Sequence, residues 1–346
     1  MKRLVFALPG DPETRTGGYL YDKRLLAELG SCGWRSELIR LPEVLTDSER
    51  VPEANRRLAA VPADLPIMVD GLALGVLPEA ATALAARGPL IALVHHPLAE
   101  ETGLTVEDAT RLRDLERAAL RPAHAIVVTS PATARSLVGT YGVEPSRITV
   151  AVPGVDPAPL ATGTGRPFTL LSVGSLTRRK GHAVLLQALE AVAFTDFRVI
   201  LAGSPHRDPA EAERLRRLAA THPHAERINF AGEVESVTLA QLYRAADLFV
   251  LPSFHEGYGM VLTESLARGV PVVATTAGAI PDTLPPDAAR LVPPGDPVAL
   301  AETLQHLMTD DEAYEALKDA AQAAREHLPS WGETGRRVAA LLECLG

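Results

Sequence analysis

Short apolar runs alternate with amphipathic stretches along the first half of the chain. A run such as Leu90–Val94 is apolar at every position, which is typical of a strand buried on both faces of a parallel sheet. A stretch such as Val106–Leu120 repeats apolar residues at helical spacing. The pattern therefore predicts a doubly wound α/β unit. We expect strands at Lys2–Leu8, Trp34–Leu41, Pro66–Asp70, Leu90–Val94, Ala125–Thr129 and Ile148–Val152, with helices that include Gly18–Leu29, Val106–Leu120 and Ala132–Tyr141.

The same alternation restarts after Pro153–Arg166, a stretch rich in Pro, Gly and Thr that we interpret as a linker. Two Rossmann-like domains, at 1–160 and 167–328, are the simplest arrangement, and we expect them to face a cleft at the carboxyl ends of their strands. In the second domain we expect strands at Phe168–Val173, Phe197–Ala202, Arg227–Phe230, Leu248–Leu251 and Val270–Ala274, and helices at Gly181–Ala193, Pro209–Thr221, Thr238–Ala246, Met260–Arg268, Pro297–Met308 and Glu312–His327.

The composition narrows the classes of function. The chain has 346 residues, more than one hydrophobic core usually serves, which agrees with two domains. Its formal net charge of −9 argues against a nucleic-acid partner, which normally meets a basic surface. We expect no transmembrane segment and no signal peptide, because no apolar run is long enough. Cys32 and Cys344 lack metal-binding spacing, so we expect reduced thiols in a cytoplasmic protein.

The segment Ser253–Asp282 carries the most specific chemistry. Glu256 and Glu264 flank a glycine loop, with seven residues between them. Glycines let the backbone approach a ligand closely, and the start of the following helix favours an anion such as a diphosphate. Ionised carboxylates only accept hydrogen bonds, which suits the hydroxyl groups of sugars. The segment therefore predicts a nucleotide-sugar site, although either glutamate alone could be a loop residue on a solvated face.

This segment resembles the E-x7-E signature of the retaining glycosyltransferases of family 4, which have the GT-B fold. It follows a strand ending in "LFVLPS" and continues through "ESLARGVPVVATTAGAIPD". The family's "G-G-x-x-E" turn reads Ala277–Asp282 here, with Ala279 at the second glycine and Asp282 at the acid. The resemblance implies a GT-B protein whose C-terminal helix, within 329–346, crosses back to the first domain.

A basic loop, Val173–His182 ("VGSLTRRKGH"), follows another predicted strand. From the residues alone it is either a phosphate grip around Lys180 or a solvated basic turn. It resembles the family's "G-R-L-x-x-x-K-G", in which Arg and Lys hold the donor diphosphate. Lys180 matches the lysine, whereas Ser175 stands at the arginine position, so Arg178 or Arg179 would have to replace that arginine.

Two loops of the first domain match the family less closely. Gly17-Gly18 is either a plain turn or, as in the family, a loop near the donor phosphate and the acceptor. His95-His96 follows the strand at Leu90–Val94, and a buried structural histidine is the alternative interpretation. The family has a histidine near the transferred sugar in this loop, and His95 is the preferred match because it is nearer the strand end.

Two further loops have weaker signals. Gly232-Glu233-Val234 is either a surface turn or, as the family implies, the lining of the nucleobase. Gly154-Val155-Asp156 resembles the family's "N-G-V-D", and we interpret it as structural. The chain has no D-x-D motif and no His, Cys and Asp cluster at ligand spacing, so we expect no required metal.

The resemblance implies transfer of a sugar, with retained configuration, from a nucleotide diphosphate sugar to a small-molecule, glycan or lipid-linked acceptor. The nucleotide-sugar is a co-substrate, and no cofactor is expected. Glu256 would hold the sugar hydroxyls, Lys180 would neutralise the leaving diphosphate, and Glu264 would bind the ribose. The catalytic candidates are Glu256, Lys180 and His95, and the donor-binding candidates are Gly18, Ser175, Arg179, Val234, Gly257, Tyr258, Gly259, Met260 and Glu264.

Two other functions stay open at this point. One is a different GT-B reaction, such as nucleotide-sugar epimerisation, which would turn over the donor without an acceptor. The other is a non-catalytic nucleotide- or protein-binding module, which would bind the donor tightly without turnover.

Overall fold

The computed structural model describes residues 2–43, 47–194 and 196–345. The apolar runs form the strands, and five of the strands described are buried along their whole length. The strands are β1 (Lys2–Pro9), β2 (Trp34–Leu41), β3 (Ile67–Asp70), β4 (Leu90–Val94), β5 (Ala125–Val128), β6 (Ile148–Val150), β7 (Phe168–Val173), β8 (Phe197–Ala202), β9 (Ile228–Gly232), β10 (Leu248–Leu251), β11 (Val272–Thr275) and β12 (Ala289–Val292).

Helices separate successive strands of the same sheet, as parallel pairing requires. They are α1 (Gly17–Ser31), α2 (Val51–Ala59), α3 (Gly71–Leu74), α4 (Pro78–Ala85), α5 (Val106–Leu120), α6 (Pro131–Gly139), α7 (His182–Glu190), α8 (Pro209–Ala220), α9 (Ser236–Ala245), α10 (Met260–Leu266), α11 (Ile280–Thr283), α12 (Pro297–Thr309), α13 (Asp311–Ala324) and α14 (Trp331–Leu345).

The chain divides into two compact units, one formed by Met1–Gly154 together with Pro329–Gly346 and the other by Val155–Leu328. The sheet of the first unit is parallel, with strand order β2-β1-β3-β4-β5-β6. The C-terminal α14 belongs to this unit and packs against α1. The guanidinium of Arg24 lies 5.3 Å from the ring centroid of Trp331, and a Cβ added to Gly335 would lie 2.4 Å from Cβ of Glu28.

The second unit contains another parallel sheet, with strand order β12-β11-β10-β7-β8-β9. Neighbouring residues of its central strands enter different apolar clusters. Leu170 and Val250 lie in one cluster, whereas Leu171 and Phe249 lie in the other. Apolar side chains therefore cover both faces of the sheet, which explains why its strands are apolar without alternation.

The pattern predicted most elements and missed one strand. The predicted bounds of β4 and α5 agree with the structure at both ends. The strand expected at Val270–Ala274 lies at Val272–Thr275, because the chain first crosses Pro271. Strand β12 was not predicted, since it has four residues, its middle two are exposed, and prolines flank it. Among the described residues, no helix is long and apolar enough to cross a bilayer.

Candidate functional site

The sheet of the second unit changes direction between β7 and β10. From β7 the strands proceed through β8 and β9 on one side, whereas β10, β11 and β12 follow on the other. Open α/β sheets bind ligands outside the carboxyl ends of their strands at such a switch point. The loop after β7 carries Lys180 and the loop after β10 carries Glu256, so the two motifs meet at this position.

Three side chains from these two loops hold the carboxylate of Glu256. Nζ of Lys180 donates to Oε1 at 2.7 Å, and Oγ of Ser253 donates to the same oxygen at 2.6 Å. Nη1 of Arg179 lies 3.4 Å from Oε2 and also donates to the carbonyl oxygen of His255 at 2.8 Å. Glu256 is only 5% exposed. The loops therefore assemble a buried carboxylate with two cations beside it.

Two glycines allow the loop backbones to touch. Gly181 has a φ of 68°, and a Cβ added to it would lie 2.0 Å from the carbonyl oxygen of Pro252. Gly278 has a φ of 56°, and a Cβ there would lie 2.4 Å from the carbonyl oxygen of Glu256. The N–H of Ala279 donates to that same oxygen at 2.9 Å. The turn Ala277–Asp282, which departs from the family pattern, therefore packs on the backbone of Glu256. Neither Gly181 nor Gly278 has room for a side chain.

The surroundings keep Glu256 ionised. Burial alone would raise the pKa of its carboxyl, but the charges of Lys180 and Arg179 and the hydrogen bonds from Lys180 and Ser253 lower the pKa to about 2. His182, the first residue of α7, is fully buried, and burial followed by the charge of Lys180 lowers its pKa to about 4. At neutral pH this region therefore contains a carboxylate that only accepts hydrogen bonds, next to a neutral imidazole.

Glu264, the second glutamate of the motif, lies on α10 and has different partners. The hydroxyl of Tyr243 donates to its Oε2 at 3.0 Å. Arg268 lies 4.6 Å from the centroid of the Tyr243 ring and donates to the carbonyl oxygen of Glu264 at 2.8 Å. Burial raises the pKa of Glu264, and the hydrogen bond from Tyr243 opposes that shift. The half-buried carboxylate is thus oriented by a tyrosine that the sequence did not single out.

The two arginines of the basic loop have different partners. Nε of Arg178 lies 4.0 Å from Oε2 of Glu211, and its side chain is 73% exposed. The side chain of Arg179 is 22% exposed and contacts Glu256. Of the two replacements that the sequence left open, Arg179 is the one beside the predicted catalytic residues.

The remaining predicted donor-site residues lie in loops of the same unit. Ser175 is half-buried after β7, where its carbonyl oxygen accepts from Thr177. Val234 is half-buried after β9, two strands away from β7 in the sheet. The glycine loop consists of half-buried Gly257, buried Tyr258, Gly259 with a φ of 87°, and half-buried Met260, which begins α10.

The first unit contains a separate cluster of charged side chains, which we call the Asp–His cluster: Asp22, Asp70 and His95. Its sheet changes direction between β1 and β3. Asp22 lies on α1, which follows β1, Asp70 ends β3, and His95 follows β4. Nε2 of His95 lies 3.1 Å from Oδ1 of Asp22 and 3.6 Å from Oδ2 of Asp70. One imidazole nitrogen therefore faces two carboxylates.

The ring of His95 packs against the start of α1. A Cβ added to Gly18 would lie 3.4 Å from Cδ2 of His95, and the ring of Tyr21 meets the imidazole edge-on at 5.4 Å between centroids. The structure therefore brings the predicted Gly18 and His95 together. Nε2 of the neighbouring His96 instead lies 3.3 Å from Oε2 of Glu101. Of the two histidines, His95 is the one that joins the cluster.

The pKa values of His95 and Asp22 are both raised within the cluster. Burial alone would lower the pKa of His95, but the charge and hydrogen bond of Asp22, followed by those of Asp70, raise it above its usual value. Burial raises the pKa of Asp22, and the nearby charge of Asp70 adds to that effect against the opposing influence of His95. The two buried carboxylates thus favour a positive charge on the imidazole between them.

The three side chains of the cluster also offer nitrogen or oxygen atoms within 4.8 Å of one another, a grouping that arises once among the His, Cys, Asp and Glu residues described. The hydrogen bond from His95 to Asp22 already joins these groups, so we assign no cation to them. Sequence reasoning missed Asp22 and Asp70. The sequence did contain a signal for Asp22, because this charged residue lies on the face of α1 that buries Tyr21, Leu25 and Leu29.

Comparisons with known proteins match both parts of the chain to glycosyltransferase families. Residues 162–324 match the family model described as glycosyl transferases group 1, and residues 41–159 match the model of glycosyltransferase family 4. A D-inositol 3-phosphate glycosyltransferase from Corynebacterium efficiens is 30% identical over 279 residues, which cover 74% of this chain and 65% of that protein. The chain therefore spans less than two thirds of the length of this relative.

Solved structures resemble the whole chain. A sucrose-phosphate synthase from Thermosynechococcus elongatus has a TM-score of 0.82 at 20% identity, with 99% of this chain and 98% of that chain covered. The Anabaena protein HepE, solved with UDP and glucose, has a TM-score of 0.80 at 18% identity, with 100% of both chains covered. The structural similarity establishes the fold, and the family models establish the family membership. The chain is a member of the glycosyltransferases of family 4 and has the GT-B fold.

Proposed function

We propose that the protein transfers a sugar from a nucleotide diphosphate sugar to an acceptor hydroxyl, with retention of configuration and without a metal ion. The observation that carries this proposal is the contact between Lys180 and Glu256 at the switch point of the second sheet. It unites a cation suited to a diphosphate with a carboxylate suited to sugar hydroxyls, at the edge where α/β sheets bind ligands.

The ionisation of Glu256 at neutral pH limits its role. A carboxyl with a pKa of about 2 has no proton to donate near neutral pH. Glu256 therefore acts as an acceptor that orients the hydroxyls of the transferred sugar, and general acid catalysis by this residue is excluded. Glu264 would accept the ribose hydroxyls in the same manner, with Tyr243 fixing its orientation.

Lys180 and Arg179 supply the positive charge near the leaving group. When the bond between the sugar carbon and the diphosphate oxygen breaks, negative charge grows on the diphosphate. Fixed cations stabilise that charge without reorganisation, which is often the largest catalytic contribution. The acceptor oxygen then forms the new bond to the sugar carbon on the same face, and its proton passes to the departing phosphate oxygen. Two cationic side chains thereby perform the neutralisation that a divalent ion performs elsewhere.

A ligand panel followed by product analysis tests this function. Sugars carried by UDP, GDP, ADP and TDP are screened by thermal shift, because a ligand that binds only the folded state raises the melting temperature. The best donor is then incubated with acceptors, including an inositol phosphate suggested by the name of the Corynebacterium relative. We expect a glycoside with the anomeric configuration of the donor, observed by NMR. Donor epimerisation without an acceptor, or binding with no turnover on any acceptor, would contradict the proposal.

A further inference from the structure

The Asp–His cluster contains more acceptors than donors. Nε2 of His95 can present one N–H, yet it faces Oδ1 of Asp22 at 3.1 Å and Oδ2 of Asp70 at 3.6 Å. Both aspartates are only 1% exposed. Oδ2 of Asp22 is buried and has no hydrogen-bond partner among the residues described. Two carboxylates withdrawn from water are costly unless a positive charge lies between them or one of them takes up a proton.

The groups around His95 indicate where that positive charge resides. Asp22 and the hydroxyl-bearing Tyr21 face it from α1, and Asp70 faces it from β3. On its own segment, His96 is directed to Glu101. The backbone carbonyl of His95 accepts from Thr129 at 3.0 Å, which fixes the loop without adding charge. Of the described groups that meet at Nε2, namely the two carboxylates and the imidazole itself, only the imidazole can become a cation.

We propose that Asp22 and Asp70 are positioning residues that keep His95 as an imidazolium, anchored through Nε2, so that it meets a bound substrate only as a hydrogen-bond donor. The ligand chemistry that fits is an oxygen that accepts a hydrogen bond, such as a phosphate or hydroxyl oxygen. The charge state is a property of the first unit, and only the identity of the substrate rests on the proposed glycosyl transfer.

This assignment excludes a different role for the same histidine. A neutral imidazole could remove a proton from an acceptor hydroxyl, whereas an imidazolium has no lone pair to receive one. A histidine that acts as a catalytic base also commonly has one aspartate on a ring nitrogen. One aspartate therefore does not distinguish a base from a permanent donor, and the second carboxylate, Asp70, decides between them. Here Asp70 adds its charge on the same nitrogen, while its Oδ1 accepts from the N–H of Leu72 at 2.7 Å and is thereby held in place.

NMR of the full chain with ¹⁵N-labelled histidine measures the charge directly. The chain has ten histidines, and the spectrum of His95→Gln identifies the signal of interest by difference. In the wild type at pH 7.5 we expect both ring nitrogens of His95 to carry protons. In Asp22→Asn the titration midpoint should fall by about 1–3 pH units, as loss of a neighbouring opposite charge predicts. Asp70→Asn should produce a smaller fall, because its oxygen is farther away.

Glu101→Gln is the matched control, because it removes a carboxylate from the adjacent histidine and leaves the cluster intact. It should leave the titration midpoint of His95 unchanged. A wild-type His95 that titrates near pH 6.5 would overturn the proposal. This measurement needs only the wild type and His95→Gln, so it stands even if an aspartate variant fails to fold. Binding of Zn²⁺ that removes the ring protons, reversed by EDTA, would identify a metal site and overturn it as well.

A kinetic measurement separates positioning from a merely structural role. With a donor and acceptor pair from the ligand panel, wild-type kcat/KM should be flat between pH 6 and pH 8. If the midpoint in Asp22→Asn falls to about 7, the variant should be about tenfold less active at pH 8 than at pH 6, because the imidazolium fraction falls by that factor. Activity that instead rises with pH would show His95 acting as a base. The NMR result stands whether or not transfer is observed, so failure of either proposal can be recognised separately.

Discussion

Lys180 and Glu256 are separated by 76 positions in the chain, yet Nζ of the lysine lies 2.7 Å from Oε1 of the glutamate. The contact is made by the loops after two neighbouring strands, β7 and β10. Gly181 and Gly278 hold the backbones of both loops in place through contacts that exclude a side chain. The basic loop and the E-x7-E segment therefore form one preorganised group.

Replacement of Lys180 by alanine should reduce kcat more than donor affinity. The leaving diphosphate gains charge as its bond breaks, so the cation stabilises the transition state more than the bound donor. A charge-assisted hydrogen bond contributes about 1.5–3 kcal/mol, which corresponds to a loss of about 10- to 150-fold. The measurement is kcat together with the donor dissociation constant. Lys180→Arg is the control for geometry, because it keeps the charge and changes the shape of the cationic group. An unchanged kcat in Lys180→Ala would show that the lysine is only a solvated turn residue.

Arg179 and Arg178 form a matched pair for testing the missing family arginine. Arg179 contacts Glu256 at 3.4 Å, whereas Arg178 is 73% exposed and 4.0 Å from Glu211. We expect Arg179→Ala to lower kcat/KM for the donor about tenfold or more, as loss of one charge-assisted contact predicts. Arg178→Ala should change it by less than about twofold, because exposed ion pairs contribute little. Equal effects of the two changes would argue against the assignment of Arg179.

Glu256→Gln should abolish transfer while the fold survives. The amide nearly preserves the shape of the side chain but removes the charge that Lys180 and Arg179 contact, and it presents a donor where a sugar hydroxyl needs an acceptor. Initial rates and far-ultraviolet circular dichroism are the two measurements. Glu101→Gln, in the first unit, is the control that should leave both unchanged. Near-normal rates in Glu256→Gln would refute its role.

The depressed pKa of Glu256 predicts loss of stability in acid. Its folded pKa is about 2 against an ordinary value of 4.5, so the stabilisation is fully present above pH 4.5 and is lost as the pH falls toward 2. Between pH 5 and pH 3, the wild type should lose about 2 kcal/mol more free energy of unfolding than Glu256→Gln. Urea unfolding at the two pH values gives this difference. Parallel losses in both proteins would show that the carboxyl titrates normally.

Activity should persist in excess EDTA. The chain lacks an Asp-x-Asp motif, and Lys180 and Arg179 already bring positive charge to the predicted diphosphate position. The measurement is the initial rate of transfer before and after chelation, with a second series to which Mg²⁺ is added back. Complete loss that Mg²⁺ restores would require a metal and contradict the proposed mechanism.

The parts of the candidate site that follow from local sequence were predictable, and those that depend on packing were not. Glu256 and Glu264 have seven residues between them around a glycine loop, and Lys180 follows a strand closely, so spacing alone identifies them. Asp22 and Asp70 have no such relation to His95. Asp70 meets it because β3 and β4 pair in parallel, so that their carboxyl ends are neighbours, and Asp22 meets it from α1, which follows β1. These meetings depend on the order of strands in the sheet, which no local pattern encodes.

The same reasoning explains why Arg178 and Arg179 could not be separated by sequence. Both arginines belong to one short 3-10 turn, Arg178–Lys180, and their order along the chain does not show which of them reaches Glu256. The contact of Arg179 with Glu256 joins loops that are 77 positions apart, so it is a tertiary feature. Strand β12 was missed because its pairing with β11, which is also a tertiary feature, defines it, and its own sequence has no apolar pattern.

The position of α14 has a practical consequence for anyone who shortens this protein. Trp331 lies 5.8 Å from the ring of Tyr21, which in turn meets His95, so the last helix supports the same face of α1 that carries Asp22. A truncation that removes the final helix would therefore take away a packed part of the first unit, the helix that lies against α1, and not a separate tail.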